Sequence, residues 1–321
     1  MNVDNLSEWY RRQGHRVIHT PSSYWFNAGP WVYQAFPFSW LIDPSEDELR
    51  ELLVRRRILS LRYSTPIESP IGKVSYHITL SNPYNLDFLR CQARNAVRRG
   101  LSKCQVENIP FERLAGEGWK LQQDTLERQK RLSSMKEAEW KRLCYSAVGL
   151  EGFEAWAAVV HGELAAALLT TRIGDTCYVL YALCHRNFLN LYVNNALFYS
   201  VSCNMLAREG INSVFLTVQS LDAPKSVDEF KFRMGFNAKV IRQRLVFNTI
   251  INPFITKATH RLIANLLERF PENAYIAKVE GMIRFYLQGR LPLADQNWPK
   301  CVTHSRSGLA NFGFHETEVE N

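Results

Sequence analysis

The chain lacks most of the signatures that assign a function quickly. It has no CxxC pair, and its seven cysteines (Cys91, Cys104, Cys144, Cys177, Cys184, Cys203 and Cys301) are odd in number and widely spaced. Zinc fingers and disulfide frameworks need closer or paired spacings, so no metal site is read and reduced thiols are expected. No Walker loop, GxGxxG fingerprint, HExxH or GxSxG occurs, so NTPase, dehydrogenase, zinc-protease and α/β-hydrolase readings lose their usual support. Long apolar runs are missing too. The longest, 155–171, is broken by His161-Gly162-Glu163, short of the roughly 18 uncharged residues of a membrane span. Met1 to Glu8 shows neither a basic nor an apolar leader region, so no signal peptide is read and the expected location is the cytoplasm. Glycine (16) and proline (13) are too scarce for a low-complexity or collagen-like chain.

What is present is ordinary globular stock. The 321 residues are 46% hydrophobic and 22% charged, a length that suits about two domains. The formal charge of +8 is unevenly spread: residues 66–143 carry 14 basic and 9 acidic side chains, while every other stretch is close to balance. Such an excess suits a phosphate-bearing partner.

Aromatic and β-branched residues over 16–39, with turns at Pro21-Ser22-Ser23 and Ala28-Gly29-Pro30, predict strands and hairpins. Pro44 to Glu48 opens a helix with acids in its first turn, where the helix dipole favours them. Strands are expected at 58–63 and 74–80, a helix over 86–100 ending at Gly100, and a strand at 104–109. The second half reads as helices over 111–132 and 135–147, then strands at 153–160, 164–171 and 177–184 joined by tight turns. A helix (191–208), a strand (213–219), a helix (226–234) and a strand (236–247) come next. Residues 256–288 read as helical after Asn252-Pro253, and the chain beyond 291 as a loose polar tail.

That order resembles the GNAT N-acyltransferase fold. Phe230-Lys231-Phe232-Arg233-Met234-Gly235-Phe236 is similar to the FK-x-x-x-GF turn that closes such domains, above all in the tandem-domain, Fem-type (FemAB-like) acyl and aminoacyl transferases. Arg94-Asn95-Ala96-Val97-Arg98-Arg99-Gly100 resembles the arginine helix of that group's first domain. The resemblance covers about residues 15–248 and implies an α/β (α+β) architecture. It comprises tandem GNAT-like domains with mixed, mostly antiparallel sheets flanked by helices: 1–109, a degenerate half, and 110–250, the transferase half. A helical extension (251–290) and a polar tail (291–321) complete the expectation. One departure stands out. The glycine loop that seats a coenzyme A pyrophosphate is replaced by His185-Arg186-Asn187-Phe188-Leu189-Asn190, without glycine, as in the Fem-type group.

The chemistry of acyl transfer needs N–H groups for an oxyanion and groups that move protons. Tyr181 and His185, at the end of the third strand, are the candidates for proton transfer. A capping or surface role is the alternative for His185. Asn187, Asn190, Asn194, Asn195 and Lys231 are candidates for holding the donor; ordinary helix polar residues and a surface basic pair are the alternatives. Gln219 is a candidate for the acceptor or the donor amide, with Asp222 and Asp228-Glu229 just beyond it. Arg90, Arg94 and Arg98 recur every fourth residue, and with Arg99 and Lys103 form a basic face for phosphates, or simply a solvated one. The aromatic run Tyr24-Trp25-Phe26, Trp31, Tyr33, Phe36, Phe38 and Trp40 reads as an acceptor pocket or as core.

The leading expectation is an N-acyltransferase. An amine, from a small molecule or a peptide, attacks an acyl thioester directly, with acetyl-CoA or another acyl-CoA as co-substrate. An aminoacyl-tRNA donor and a non-catalytic binding protein on a decayed scaffold are the alternatives. The acceptor, the acyl chain and the oligomeric state do not follow from the sequence.

Overall fold

The computed structural model describes residues 3–29, 31–81, 83–128, 135–221, 226–303 and 305. The first half comprises α1 (Val3–Arg12), β1 (Val17–His19), β2 (Tyr24–Gly29), β3 (Val32–Phe36), α2 (Glu46–Arg50, continued as a π-helical turn through Arg55), β4 (Ser60–Thr65), β5 (Lys73–Ser81) and α3 (Cys91–Leu101). The second comprises β6 (Gln105–Ile109), α4 (Phe111–Arg128), α5 (Glu137–Tyr145), β7 (Phe153–Val160), β8 (Glu163–Ile173), β9 (Thr176–Cys184), α6 (Val193–Leu206), β10 (Ser213–Val218), α7 (Ser226–Arg233) and β11 (Asn237–Phe247). Two further helices follow, α8 (Lys257–Arg269) and α9 (Ala274–Gly289).

The eleven strands of the described residues join one sheet, in the order β1-β2-β3-β4-β11-β5-β10-β9-β8-β7-β6. The last strand of the second half thus lies inside the first half, between β4 and β5, while β5 pairs with β10 of the second. This reciprocal exchange merges the expected two sheets into one. Every pairing is antiparallel except β3 with β4 and β9 with β10.

Local sequence explains the elements. His161 and Gly162 both take positive φ, the backbone a two-residue hairpin turn demands, and join β7 to β8. Ser45 caps α2 through its side chain. Strand β8 is buried on both faces. Ala165, Ala166 and Leu168 pack with α3 and α6, and Leu164, Ala167 and Leu169 with α1, α4 and α5. Its small side chains let helices lie close on either side. Gly235, at φ +85°, ends α7: the Gly235 and Phe236 amides bond back to the Phe232 and Lys231 carbonyls. The FK-x-x-x-GF stretch is therefore a helix stop that aims the chain into β11.

Several expected elements differ. The helix over 86–100 is a short 3-10 turn (Leu86–Phe88) followed by α3, which runs on to Leu101. Gly100 does not end it. A Cβ there would collide with the Tyr192 carbonyl, so glycine lets α3 seat against the start of α6. The helix over 191–208 begins as a 3-10 turn (Arg186–Leu191), and the 256–288 helix is two. Helix α1 was not expected, although Val3, Leu6, Trp9 and Tyr10 supply a buried stripe at helical spacing. The tail is docked rather than loose as far as 303: Gln296 is buried and accepts from the Val74 amide at 2.8 Å. The segments 129–134 and 306–321, and Asp222, lie outside the described residues.

Candidate functional site

Strands β9 and β10 pair in parallel only over Thr176–Tyr178 and Ser213–Phe215. Both then bulge. Leu180 is the extra residue of β9 opposite β8, and Leu216 that of β10 opposite β5. A bulge bends its strand and sharpens its twist, so two at one point drive the strands apart. The gap holds a cavity of about 220 Å³ whose lining includes Gln34, Phe38, Arg62, Tyr178, Leu180 and Thr217. Beyond Tyr178 the edge of β9 has β8 on one side and no strand pairing on the other, until α4 covers its end. There Thr125 Oγ1 and Arg128 donate to the Cys184 carbonyl at 3.2 and 2.7 Å.

Behind the lining residue Arg62 lies a polar network. Arg62 donates to Gln243 Oε1 at 2.8 Å and to the Gln219 carbonyl at 2.9 Å. Gln243 donates to Ser75 Oγ at 2.6 Å, and Ser75 Oγ donates to Gln219 Oε1 at 2.9 Å. His77 Nε2 lies 2.9 Å from Ser64 Oγ. Burial, with a smaller contribution from Lys239, lowers the His77 pKa to about 3, so the ring is neutral at physiological pH. Tyr178, 2% exposed, places its hydroxyl 2.5 Å from Ser39 Oγ. Burial pushes its pKa up to about 12, so the phenol keeps its proton. A second cavity of about 150 Å³, between the β2–β3 hairpin and α9, shares Gln34 and Arg62 with the first.

The parallel pair in the first half parts in the same way, after Gln34 and Arg62. Its gap is filled. The chain leaving β3 turns back at Pro37–Trp40, and the Ile42 amide donates to the Ser64 carbonyl at 2.9 Å. About 10 Å³ remains.

Of the expected site residues, the structure brings Gln219 into the network behind Arg62, though not into the cavity lining, and sets the others elsewhere. Tyr181 packs edge-on against Trp140 in the core, with burial pushing its pKa to about 12, and does not line the cavity. His185 takes the capping role: its Nδ1 accepts from the Asn187 amide at the start of the 3-10 turn. Asn187 and Asn190 are exposed on that turn, and Asn194 is half-buried in α6. Asn195 Nδ2 lies 3.2 Å from Met234 Sδ. Lys231 pairs with Asp228 at 2.7 Å, and Asp228 in turn accepts from Tyr76 at 2.5 Å. The arginine face divides. Arg94 folds back on Asp87 (3.4 Å) and the Leu89 carbonyl, while Arg90, Arg98, Arg99 and Lys103 are exposed. Arg99 lies over the Tyr192 ring, 4.7 Å from its centroid. Most of the aromatic run is core, Trp25 and Phe36 being fully buried; Phe38 reaches the cavity.

The residues the sequence reading missed are Gln34, Ser39, Arg62, Ser75, His77, Tyr178 and Gln243. No sequence signal set Arg62 and Gln243 apart, because β4 (SLRYST) and β11 (NAKVIRQRLVF) carry several other polar side chains. Among the described residues no group of His, Cys, Asp and Glu could hold a metal ion, and no helix is long and apolar enough to cross a membrane.

No protein-family model matches the sequence, and no curated protein does. Solved structures do match. FemX superposes with a TM-score of 0.55 at 12% identity, over 78% of this chain and 93% of that one. The C-terminal domain of a lysylphosphatidylglycerol synthetase from Agrobacterium fabrum gives 0.50 at 10% identity, over 83% and 97%. A protein of unknown function from Bacteroides thetaiotaomicron VPI-5482 gives 0.51 at 12%, over 77% and 90%. At these identities the likeness is one of fold alone, and it agrees with the fold that the sequence resemblance implies.

Proposed function

We propose that the chain transfers an activated acyl group to an amine, with the donor carbonyl in the gap between β9 and β10. The open cavity beyond Tyr178 and Phe215 is the observation that carries this reading. A carbonyl lying along the unpaired edge of β9 meets backbone N–H groups, which stabilise the oxyanion that forms as the amine attacks. The C–N bond forms, the tetrahedral intermediate collapses, and the bond to the leaving sulfur or oxygen breaks. Tyr178, protonated at neutral pH, gives its proton to the leaving group and recovers one as the ammonium of the intermediate loses its own. Arg62 and Gln34 line both cavities on the acceptor side, and the second cavity leads the amine toward them.

An acyl-CoA-type thioester is the first donor we assign, with its arm in the gap. The start of α6 offers its pyrophosphate little room, because the Tyr192 carbonyl is covered by Gly100 of α3 and the preceding turn holds no glycine. That closure, with Arg90, Arg98, Arg99 and Lys103 exposed on and beside α3, favours an aminoacyl-tRNA donor as the second reading.

The test is a melting-temperature screen with acetyl-CoA, a long-chain acyl-CoA and aminoacylated tRNA, since a ligand of the native state raises the midpoint. Whichever donor binds is then assayed with Tyr178→Phe. Turnover is expected to fall about 100-fold with donor affinity retained. Full activity in Tyr178→Phe removes that residue's role, and no shift with any of the three donors removes the donor site.

A further inference from the structure

At one end of the sheet, three connections bring exposed apolar tips together. Trp31, at the tip of the β2–β3 hairpin, is 65% exposed and takes a left-handed φ of 55°. Its carbonyl accepts from the Leu59 amide at 2.8 Å, and the Leu59 carbonyl accepts from the Asn248 amide at 2.8 Å. The Asn248 side chain also donates to the Ile58 carbonyl at 3.1 Å. These bonds tie the hairpin, the α2–β4 connection and the turn after β11 into one surface. Thr259 Oγ1 donates to the Phe254 carbonyl at 2.7 Å and adds the first turn of α8.

The apolar side chains here are Trp31, Val54, Ile250 (75% exposed), Phe254 (69%) and Leu262 (61%). The same α2–β4 connection and the start of α8 carry the exposed cations Arg55, Arg56, Arg57, Lys257 and Arg261. Glu51 pairs with Arg55 and Arg56, at 2.9 and 3.5 Å, and the first two turns of α8 carry no acid. Isolated exposed apolar residues need no explanation, but a contiguous group marks a surface that something covers.

We infer that this end of the molecule docks on an anionic lipid bilayer, with the apolar tips in the headgroup layer and the arginines and lysine against lipid phosphates. The mixture decides between occupants. Phosphates of an RNA have no use for five apolar tips. A second copy related by a two-fold axis would set one cationic surface against another. A bilayer interface takes both at once: tryptophan and aliphatic side chains enter the boundary, and basic residues beside them meet the negative leaflet. The surface does not depend on the acyl-transfer reading, although the second cavity, lined by Ala28, Val32, Lys278 and Met282, lies beside the same hairpin.

Flotation of the full chain tests this, using vesicles of phosphatidylcholine alone and of equal parts phosphatidylcholine and phosphatidylglycerol. The chain is expected to float with the mixed vesicles and not with the neutral ones. Two independent variants, Arg55→Glu/Arg56→Glu/Arg57→Glu and Ile250→Ser/Phe254→Ser, are each expected to weaken binding at least about tenfold with the melting curve kept. Trp31→Ser provides a third, on a different connection, should either double or triple variant fold poorly. No binding to the mixed vesicles overturns the inference. So does equal binding by all variants, a dimer broken by Ile250→Ser/Phe254→Ser in vesicle-free solution, or binding to tRNA alone.

Discussion

Strands β3 and β4 part after Gln34 and Arg62, and β9 and β10 part after Tyr178 and Phe215, yet only the second gap stays open. About 10 Å³ remains in the first and about 220 Å³ in the second. The difference lies in the connection that leaves the leading strand. After β3 the chain folds straight back into the gap, and Ile42 takes the place on Ser64 that a neighbouring strand would take. After β9 it leaves through the turn Arg186–Leu191 to α6, and α4 covers only the far end at Cys184. Parting a parallel pair makes a place for a ligand; the next connection decides whether the protein keeps it for itself.

Filling the open gap is the strongest way to break the comparison. Thr217→Trp puts an indole where the donor carbonyl is proposed to lie, and turnover is expected to fall at least about 100-fold, as misplacing a reacting group does, with the melting point little changed. Normal turnover in this variant would separate the cavity from activity. Emptying the closed gap should do the reverse. Ile42 is buried, so Ile42→Ala is expected to cost about 2–4 kcal/mol in denaturant melts and leave kcat/KM as it was. A kinetic loss with stability intact would show that the first gap, too, takes part in the reaction. The smallest effect at any one step, a gradual slope with pH, concerns the seam between the gaps. His77 remains neutral in the folded protein down to about pH 3, whereas its unfolded counterpart gains a proton near 6.5. Between those values the unfolded state binds more protons, so this histidine makes stability fall as pH drops, by at most about 1.4 kcal/mol per pH unit. The difference in stability between the wild type and His77→Asn should change with pH across that window; a constant difference would place the proton elsewhere.

Much of the fold was legible because its punctuation is local. His161-Gly162 marks a hairpin, Gly235 a helix stop, and Ser45 a helix start, each from its own backbone requirement. The exchange of β5 and β11 was not legible, since strand pairing is settled by tertiary packing and leaves no mark at 237–247. The candidate site was missed for a narrower reason. Simple alternation sets Tyr178 and Tyr181 on opposite faces of β9, but the bulge at Leu180 returns them to one face, and it is Tyr178, at the parting point, that lines the cavity. A bulge without glycine has no sequence signature. His185, at a strand–helix junction, carried a double signal, and the structure uses its capping half.

Hydrogen exchange with and without donor tests the central claim most directly. With acetyl-CoA, a long-chain acyl-CoA or aminoacylated tRNA, whichever turns over, protection should rise at residues 179–183 and 216–218 and stay unchanged at 41–42 and 63–65. A donor that turns over while leaving 179–183 and 216–218 unprotected would contradict the placement of the reaction between β9 and β10.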